Sequence, residues 1–376
     1  MDFNLSEDQT LLKDSVLRFV ADRYSFEERR RFTALPQGFD AANWATFAEL
    51  GWLMLPFAEE DGGLGGTPID LMVLFEAFGR GLVVEPYLPS ILLSGGLIAA
   101  LGNEAQKEHH LQALMEGRLL AATASMEAGG RFNLADVTCT ARPDGDGWVL
   151  DGAKSLVLNG DSATLLLTSA RTGGDRRDSD GITLFLLDAT APGLTSRAYP
   201  TLDGGRATDI TLSGVRVGAD AVLGPIGGAY PALSAAVERA TLALCAEAVG
   251  AMDVLLWSTV EYSRTRVQFD QPIGKFQVIQ HRLVDLYIEY EQSRSLLLLA
   301  AMRLTEGGVE GSKALSALKV QVGKAGRFIG QQAVQLHGGM GMTDELSIGH
   351  YFKRLTAIDA LFGNVDHHLK RFASLA

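Results

Sequence analysis

The residues best suited to chemistry lie in two short stretches of the C-terminal half. Arg266 closes the run Tyr262-Ser-Arg-Thr-Arg266, with Gln277 downstream, and Gln335 precedes the pair Gly338-Gly339. An arginine offers a planar, permanently charged fork that matches phosphate. Paired glycines let backbone N–H groups approach an anion with no Cβ in the way. Gln277 and Gln335 can hydrogen-bond hydroxyls or a base ring. Such a set would hold a phosphate-bearing ligand. Read one at a time, the same residues are a surface arginine on a helix and a glycine helix cap. Conventional motifs do not help, since HExxH, the P-loop, CxxC and GxGxxG are all absent. Cys139 and Cys245 are too few for a disulfide framework or a thiolate zinc site. His367 and His368 are adjacent and would leave a helix in different directions, which argues against a metal there.

These segments need elements to carry them. The chain has 376 residues, a length for two or three domains, and is 47% hydrophobic and 21% charged, which excludes wholesale disorder. Its net charge of -12 argues against a nucleic-acid binder. No apolar run reaches about 18 residues, so no membrane span is predicted. The opening MDFNLSEDQT resembles neither a secretory signal nor a transit peptide, so a cytoplasmic protein is expected.

Pattern divides the chain into 1–117, 118–222 and 223–376. The first part is helical in period: Ser6 and Gln9 form a capping box before Leu11, Leu12, Val16 and Leu17, a second helix runs from Trp44 to Leu53, and a third covers Ile69 to Phe78. A glycine-rich loop, 59–66, separates the last two. The second part reads as strands, with a hairpin turn at Asp144-Gly145-Asp146-Gly147, buried strands at 165–167 and 182–185, an alternating strand at 210–217, and an exposed loop from Arg171 to Gly181. The third part returns to long helices at 231–265, 278–305 and 312–336, a helical bundle. The predicted class is α+β: an N-terminal helical domain, a middle β-barrel or sandwich, and a C-terminal four-helix bundle.

On this frame four segments resemble the acyl-CoA dehydrogenase family. Arg266-Val-Gln-Phe269-Asp-Gln-Pro272-Ile-Gly-Lys-Phe276-Gln277-Val-Ile-Gln280 is similar to that family's R-x-x-F-G-x-P-I-x-x-F-Q-x-I-Q. Gln335-Leu-His-Gly338-Gly339-Met-Gly341 resembles its Q-x-x-G-G-x-G, the loop at 59–66 its P-E-x-x-G-G-x-G, and 151–160 its N-G-x-K-x-x-I-T-N-G. The matches span almost the whole chain in order. The resemblance implies flavin adenine dinucleotide (FAD) as cofactor. Arg266, Phe269, Phe276, Gln277, Gln335, Gly338 and Gly339 would clamp its ADP half. In the family these segments reach across a dimer interface to a flavin seated in the neighbouring subunit.

The departures from the family pattern matter as much. The family's catalytic glutamate, in Y-E-G-T, corresponds to Phe362 in Leu361-Phe362-Gly363-Asn364. Some members carry the glutamate on an earlier helix, at a place equivalent to Ala240; Glu238 lies two residues away, turned about 200° round a helix. Asp366 and Glu238 are the remaining candidate bases. The family's T-E-P is Met126-Glu127-Ala128 here, and its W-I-T is Leu156-Val157-Leu158. Asp270 takes the place of a glycine. The ADP-end residues are kept while the base and the flavin-ring contacts are lost. That combination resembles one subunit of the heteromeric bacterial members. The implied reaction is α,β-dehydrogenation of an acyl-CoA. The implied assembly is a homodimer, or a heterotetramer with a related catalytic subunit, with the electron acceptor unassigned. Two alternatives stay open: a self-sufficient homo-oligomeric enzyme with a displaced carboxylate, and a flavin-free structural subunit.

Overall fold

The computed structural model describes residues 4–375. Helix α1 (Glu7–Arg23) starts where the capping box predicts, with Gln9 N–H donating to the Ser6 hydroxyl (3.2 Å) and Ser6 N–H donating to the Gln9 side chain (3.0 Å). Then come α2 (Phe26–Thr33) and α3 (Ala41–Glu49). The second predicted helix is too long: Gly51, at φ 74°, ends it, and Leu53 falls in a separate 3-10 turn. Helix α4 (Pro68–Gly81) is capped by Thr67 and Asp70, with proline at its first position. A π-helical stretch, Tyr87–Gly95, leads into the short helices α5 (Gly96–Leu101), α6 (Glu104–Gln106) and α7 (Gln112–Met115).

Eight strands form one hydrogen-bonded sheet: β1 (Ala121–Ala124), β2 (Thr140–Asp144), β3 (Gly147–Leu158), β4 (Leu165–Arg171), β5 (Ile182–Asp188), β6 (Leu194–Pro200), β7 (Arg206–Val217) and β8 (Val222–Leu223). Their order is β6-β7-β3-β2-β4-β5-β8, with β1 parallel beside β4. The predicted hairpin joins β2 to β3, Asp144 pairing with Gly147. The sheet's core includes Leu150, Val157, Leu166, Phe185, Ile210 and Val215. The predicted exposed loop starts one residue late: Arg171 is buried, and its guanidinium donates to the carbonyls of Ala135, Arg176, Asp178 and Asp180. Four carbonyls in one place compensate the burial of that charge.

The C-terminal helices are α8 (Tyr230–Thr265), α9 (Gln277–Glu306), α10 (Gly308–His337), α11 (Ser347–Ala360) and α12 (Val365–Ser374). A two-stranded hairpin, β9 (Val267–Gln268) and β10 (Gln271–Pro272), interrupts them. Helix α8 is long and apolar enough to cross a membrane, although no run of that length was expected from sequence. Its apolar residues are used inside the fold, with 89% of the most apolar window buried. The chain condenses into two units. One holds the residues up to Arg31, Thr67–Val83 and everything from Thr241 onward; the other holds Phe32–Gly66 and Val84–Ala240.

Within the first unit α4 and α8 cross at two glycines. A Cβ at Gly79 would lie 1.9 Å from the Glu247 carbonyl oxygen, and one at Gly250 would lie 1.9 Å from that of Glu76. Neither backbone can yield without parting the helices. Gly79→Ala and Gly250→Ala are each expected to cost about 1–3 kcal/mol through overpacking. Urea unfolding of the two variants checks this, and unchanged midpoints would rule out the close crossing.

Candidate functional site

The residues expected to clamp a cofactor lie around the C-terminal ends of α8 and α10. The Tyr262 ring, one turn before the end of α8, stacks on the His337 ring at the end of α10, with centroids 4.3 Å apart and planes 28° off parallel. His337 is held by its Nδ1, 2.8 Å from the Ala333 carbonyl, which orients the ring rather than presenting it for proton transfer. Burial pushes its pKa down. This stack brings Arg266 and the Gly338-Gly339 turn into one neighbourhood. Arg266 N–H donates to the Tyr262 carbonyl (2.8 Å), and Ile273 N–H donates to the Arg266 carbonyl (2.9 Å). The backbone is thus fixed while the guanidinium is exposed. Among the described residues no carboxylate pairs with it.

Phe269 and Asp270 form the two-residue turn between β9 and β10, at φ 53° and 63°. Such a hairpin needs both central residues left-handed. Aspartate is among the side chains that tolerate this region, which explains why it can replace the usual glycine. Phe269 is 86% exposed and meets Phe276 edge-to-face at 6.2 Å. Gln277 opens α9 and Gln335 lies on the last turn of α10, both exposed. Gly338 sits at φ 62°, ψ −143°, a region essentially reserved for glycine. A Cβ at Gly338 or Gly339 would meet nothing within 4 Å, so the turn is open on its outer side. Val267, Val278, Met340 and Met342 surround the clamp as exposed apolar side chains.

The loop after α11 carries Phe362 at φ 55°, half-buried. Sequence reading missed what fixes this loop. Lys319 of α10 is fully buried, and its ammonium donates to the carbonyls of Ile358 (2.7 Å), Asp359 (3.1 Å) and Gly363 (2.8 Å). His368 is buried beneath the loop, its Nε2 3.1 Å from the Phe362 carbonyl and its Nδ1 3.4 Å from the Ser316 hydroxyl. Burial, with Lys319 nearby, pushes the His368 pKa down to about 3. His367 is only half-buried, and its ring lies at 84° to that of His368.

Because the folded pKa of His368 lies below the ordinary value near 6.5, acid favours the unfolded chain. Between pH 6.5 and 3 the unfolded chain binds a proton that the folded one refuses. The contribution is whole above pH 6.5 and falls by up to about 1.4 kcal/mol per pH unit below it. Urea unfolding at pH 7 and pH 5 is expected to show a stability loss that shrinks in His368→Gln. An equal loss in both proteins would acquit this ring.

The other candidate bases have no enclosed setting. Asp366 is exposed in the first turn of α12, where a carboxylate suits the helix dipole. Glu238 is half-buried early in α8, beside Arg239, which donates to the Pro56 carbonyl (3.0 Å). Ala240 is fully buried. Cys139 and Cys245 are buried thiols pushed up to about 11 and about 12, core residues rather than nucleophiles.

In the sheet unit, Met126, Leu156 and Leu158 bring a thioether and two isobutyl groups to the positions that the resemblance assigns to flavin-ring contacts. Met126 uses its carbonyl to accept from Ser155 N–H (2.9 Å), and Leu156, at φ 53°, donates its N–H to Asp209 (3.3 Å). Between these segments lies a second feature missed in the sequence. Glu127 and Lys154 form a buried ion pair at 2.7 Å. Thr138 N–H (2.7 Å), the Thr138 hydroxyl and Cys139 N–H (3.0 Å) also donate to Glu127, while Lys154 donates to Ser169 (3.0 Å). Burial alone would raise the Glu127 carboxyl, but Lys154 and these donors hold it below the usual range.

Comparison with known proteins places the chain. The acyl-CoA dehydrogenase N-terminal, middle and C-terminal domains match residues 6–118, 122–215 and 228–374. A solved variant of the Tcur3481-Tcur3483 steroid ACAD is 32% identical, with a TM-score of 0.87 over 98% of this chain and 97% of that one. The ChsE4-ChsE5 complex from Mycobacterium tuberculosis is 28% identical, with a TM-score of 0.89 over 100% and 98%. Probable acyl-CoA dehydrogenase YngJ of Bacillus subtilis (strain 168) is 27% identical over 93% of this chain and 92% of its own length. The chain belongs to the acyl-CoA dehydrogenase family. FAD is therefore the cofactor to set against these residues. The exposed Arg266 fork and the open Gly338-Gly339 turn fit its ADP half. The side chains of Leu156 and Leu158 offer no hydrogen bond to its ring, and Met126 offers only a weakly accepting thioether.

Proposed function

We propose that this chain is the subunit of a heteromeric acyl-CoA dehydrogenase that supplies the ADP-end clamp for an FAD whose ring is seated in a related catalytic partner. One observation supports the reading: the Arg266 guanidinium is exposed and has no carboxylate partner among the described residues, while Phe362 stands where the resemblance puts the family's base. Arg266 would bind the pyrophosphate, with the Gly338-Gly339 backbone beside it and Gln277 and Gln335 on the polar ends. When bound, FAD supplies the hydride acceptor for α,β-dehydrogenation of an acyl-CoA thioester. This chain's part is to hold the cofactor and exclude water with the apolar rim of Val267, Val278, Met340 and Met342. The α-proton falls to a carboxylate of the partner, because a phenyl ring cannot take it. Proteins named as pairs, Tcur3481-Tcur3483 and ChsE4-ChsE5, stand among the structural relatives and support a two-chain assembly.

The specific likeness lies with the small subunit of pimeloyl-CoA dehydrogenase, through the opening segment, Cys245-Ala-Glu-Ala-Val-Gly250 and His350-Tyr-Phe-Lys-Arg-Leu355. We place the working complex in the cytoplasm, as a heterotetramer. A self-sufficient homo-oligomer would need Asp366 or Glu238 as base, and Asp366 is exposed while Glu238 is only half-buried. The test is acyl-CoA oxidation with an artificial electron acceptor, by the purified chain alone and with its co-expressed partner. Turnover only in the complex supports the assignment; ordinary enzymatic rates from the lone chain would overturn it.

A further inference from the structure

Away from the clamp, a cavity of about 310 Å³ opens between α1, α4 and α9 in the first unit. Leu17, Met72 and Leu297 make part of its apolar wall, and Lys13, Glu76 and Arg294 are among its polar lining. Two opposite charges here, Lys13 and Glu76, are half-buried and face the cavity without a protein partner among the described residues. Among the described residues no carboxylate pairs with Lys13, and nothing hydrogen-bonds the Glu76 carboxylate. The two do not reach each other, although Lys13 is the strongest positive influence on Glu76. The neighbouring cations are already engaged: Arg80 pairs with Asp253, and Arg294 lies 3.7 Å from Glu291. Burial pushes the Glu76 carboxyl above its usual range, as for an acid lacking its counter-ion. Neither charge has a role in the flavin clamp.

An ammonium and a carboxylate facing one cavity, held apart, complement a ligand bearing both charges in reverse. We infer that this cavity binds a small zwitterion with an apolar side chain, an α-amino acid in chemical class. Its ammonium would meet Glu76 and its carboxylate would meet Lys13, with its side chain against Leu17, Met72 and Leu297. Each half-buried charge then gains a charge-assisted hydrogen bond. A pocket with a few convergent polar groups on apolar walls is the usual form of a small-molecule site.

Equilibrium dialysis of the full-length chain with L-leucine tests this, with hexanoate and hexylamine as single-charge controls. Saturable binding of about one leucine per chain is expected, with each control at least about tenfold weaker. Lys13→Met and Glu76→Gln should each weaken leucine binding about tenfold or more. Leu17→Trp, which fills the cavity without touching a charge, should abolish it. Melting curves identify any variant that has failed to fold, and the wild-type comparison of leucine with the two controls stands without variants. No saturation by about 10 mM leucine, hexanoate or hexylamine binding as tightly as leucine, or full binding in folded Leu17→Trp would each overturn the inference.

Discussion

Arg266→Ala is expected to weaken FAD retention by the assembled two-chain complex about a hundredfold, while leaving the fold of this chain unchanged. The guanidinium is exposed and makes no ion pair among the described residues, so its removal costs the fold less than about 0.5 kcal/mol. A hundredfold loss is about 2.8 kcal/mol, close to two charge-assisted hydrogen bonds to a pyrophosphate at about 1.5 kcal/mol each, the weak end of their range at an exposed site. Arg266→Lys should recover only part of it, because an ammonium cannot present two parallel donors. Flavin fluorescence during dilution of the complex reads the effect. Retention within about threefold of wild type would remove Arg266 from the clamp.

Lys154→Met should be the most damaging single change to the sheet unit, at about 3–5 kcal/mol. The substitution leaves Glu127 charged at 4% side-chain exposure with its counter-ion gone. The remaining donors, from Thr138 and Cys139, orient the carboxylate but do not neutralise it. Glu127→Gln in the same background should restore part of the loss, since the uncompensated charge is then absent. Near-ultraviolet circular dichroism of Trp148, which packs edge-to-face on Phe185 at 5.7 Å, follows unfolding of this unit. A loss below about 1 kcal/mol would mean that the pair is solvated and that its buried position does not describe the protein.

How far the sequence could be read follows the range of each interaction. The Ser6 cap, the turn at Asp144 to Gly147 and the long C-terminal helices are signalled by residues a few positions apart, and all are present. The end of α3 at Gly51 was missed because apolar spacing continues through Leu53 in a different geometry. The type of turn at Phe269-Asp270 was not read, because phenylalanine is a poor signal for a left-handed residue and aspartate an ambiguous one. Arg171 reads as a solvent residue in the sequence because its four partners are carbonyls, which carry no residue identity. The same holds for Lys319 under the Phe362 loop. Glu127 and Lys154 lie in two recognised motifs, yet only folding shows that the motifs are joined through them. The residues proposed for the clamp are each named by a sequence motif; the Tyr262–His337 stack that draws the two segments together has no such signal.

The visible absorbance spectrum of the purified single chain, with released flavin counted per subunit, tests the division of labour most directly. A colourless protein that turns yellow only when co-expressed with its catalytic partner is expected, because on the proposed reading one chain offers half of a flavin site. About one tightly held FAD per chain in the absence of any partner would contradict that division, and would send the search for a base back to Asp366 and Glu238.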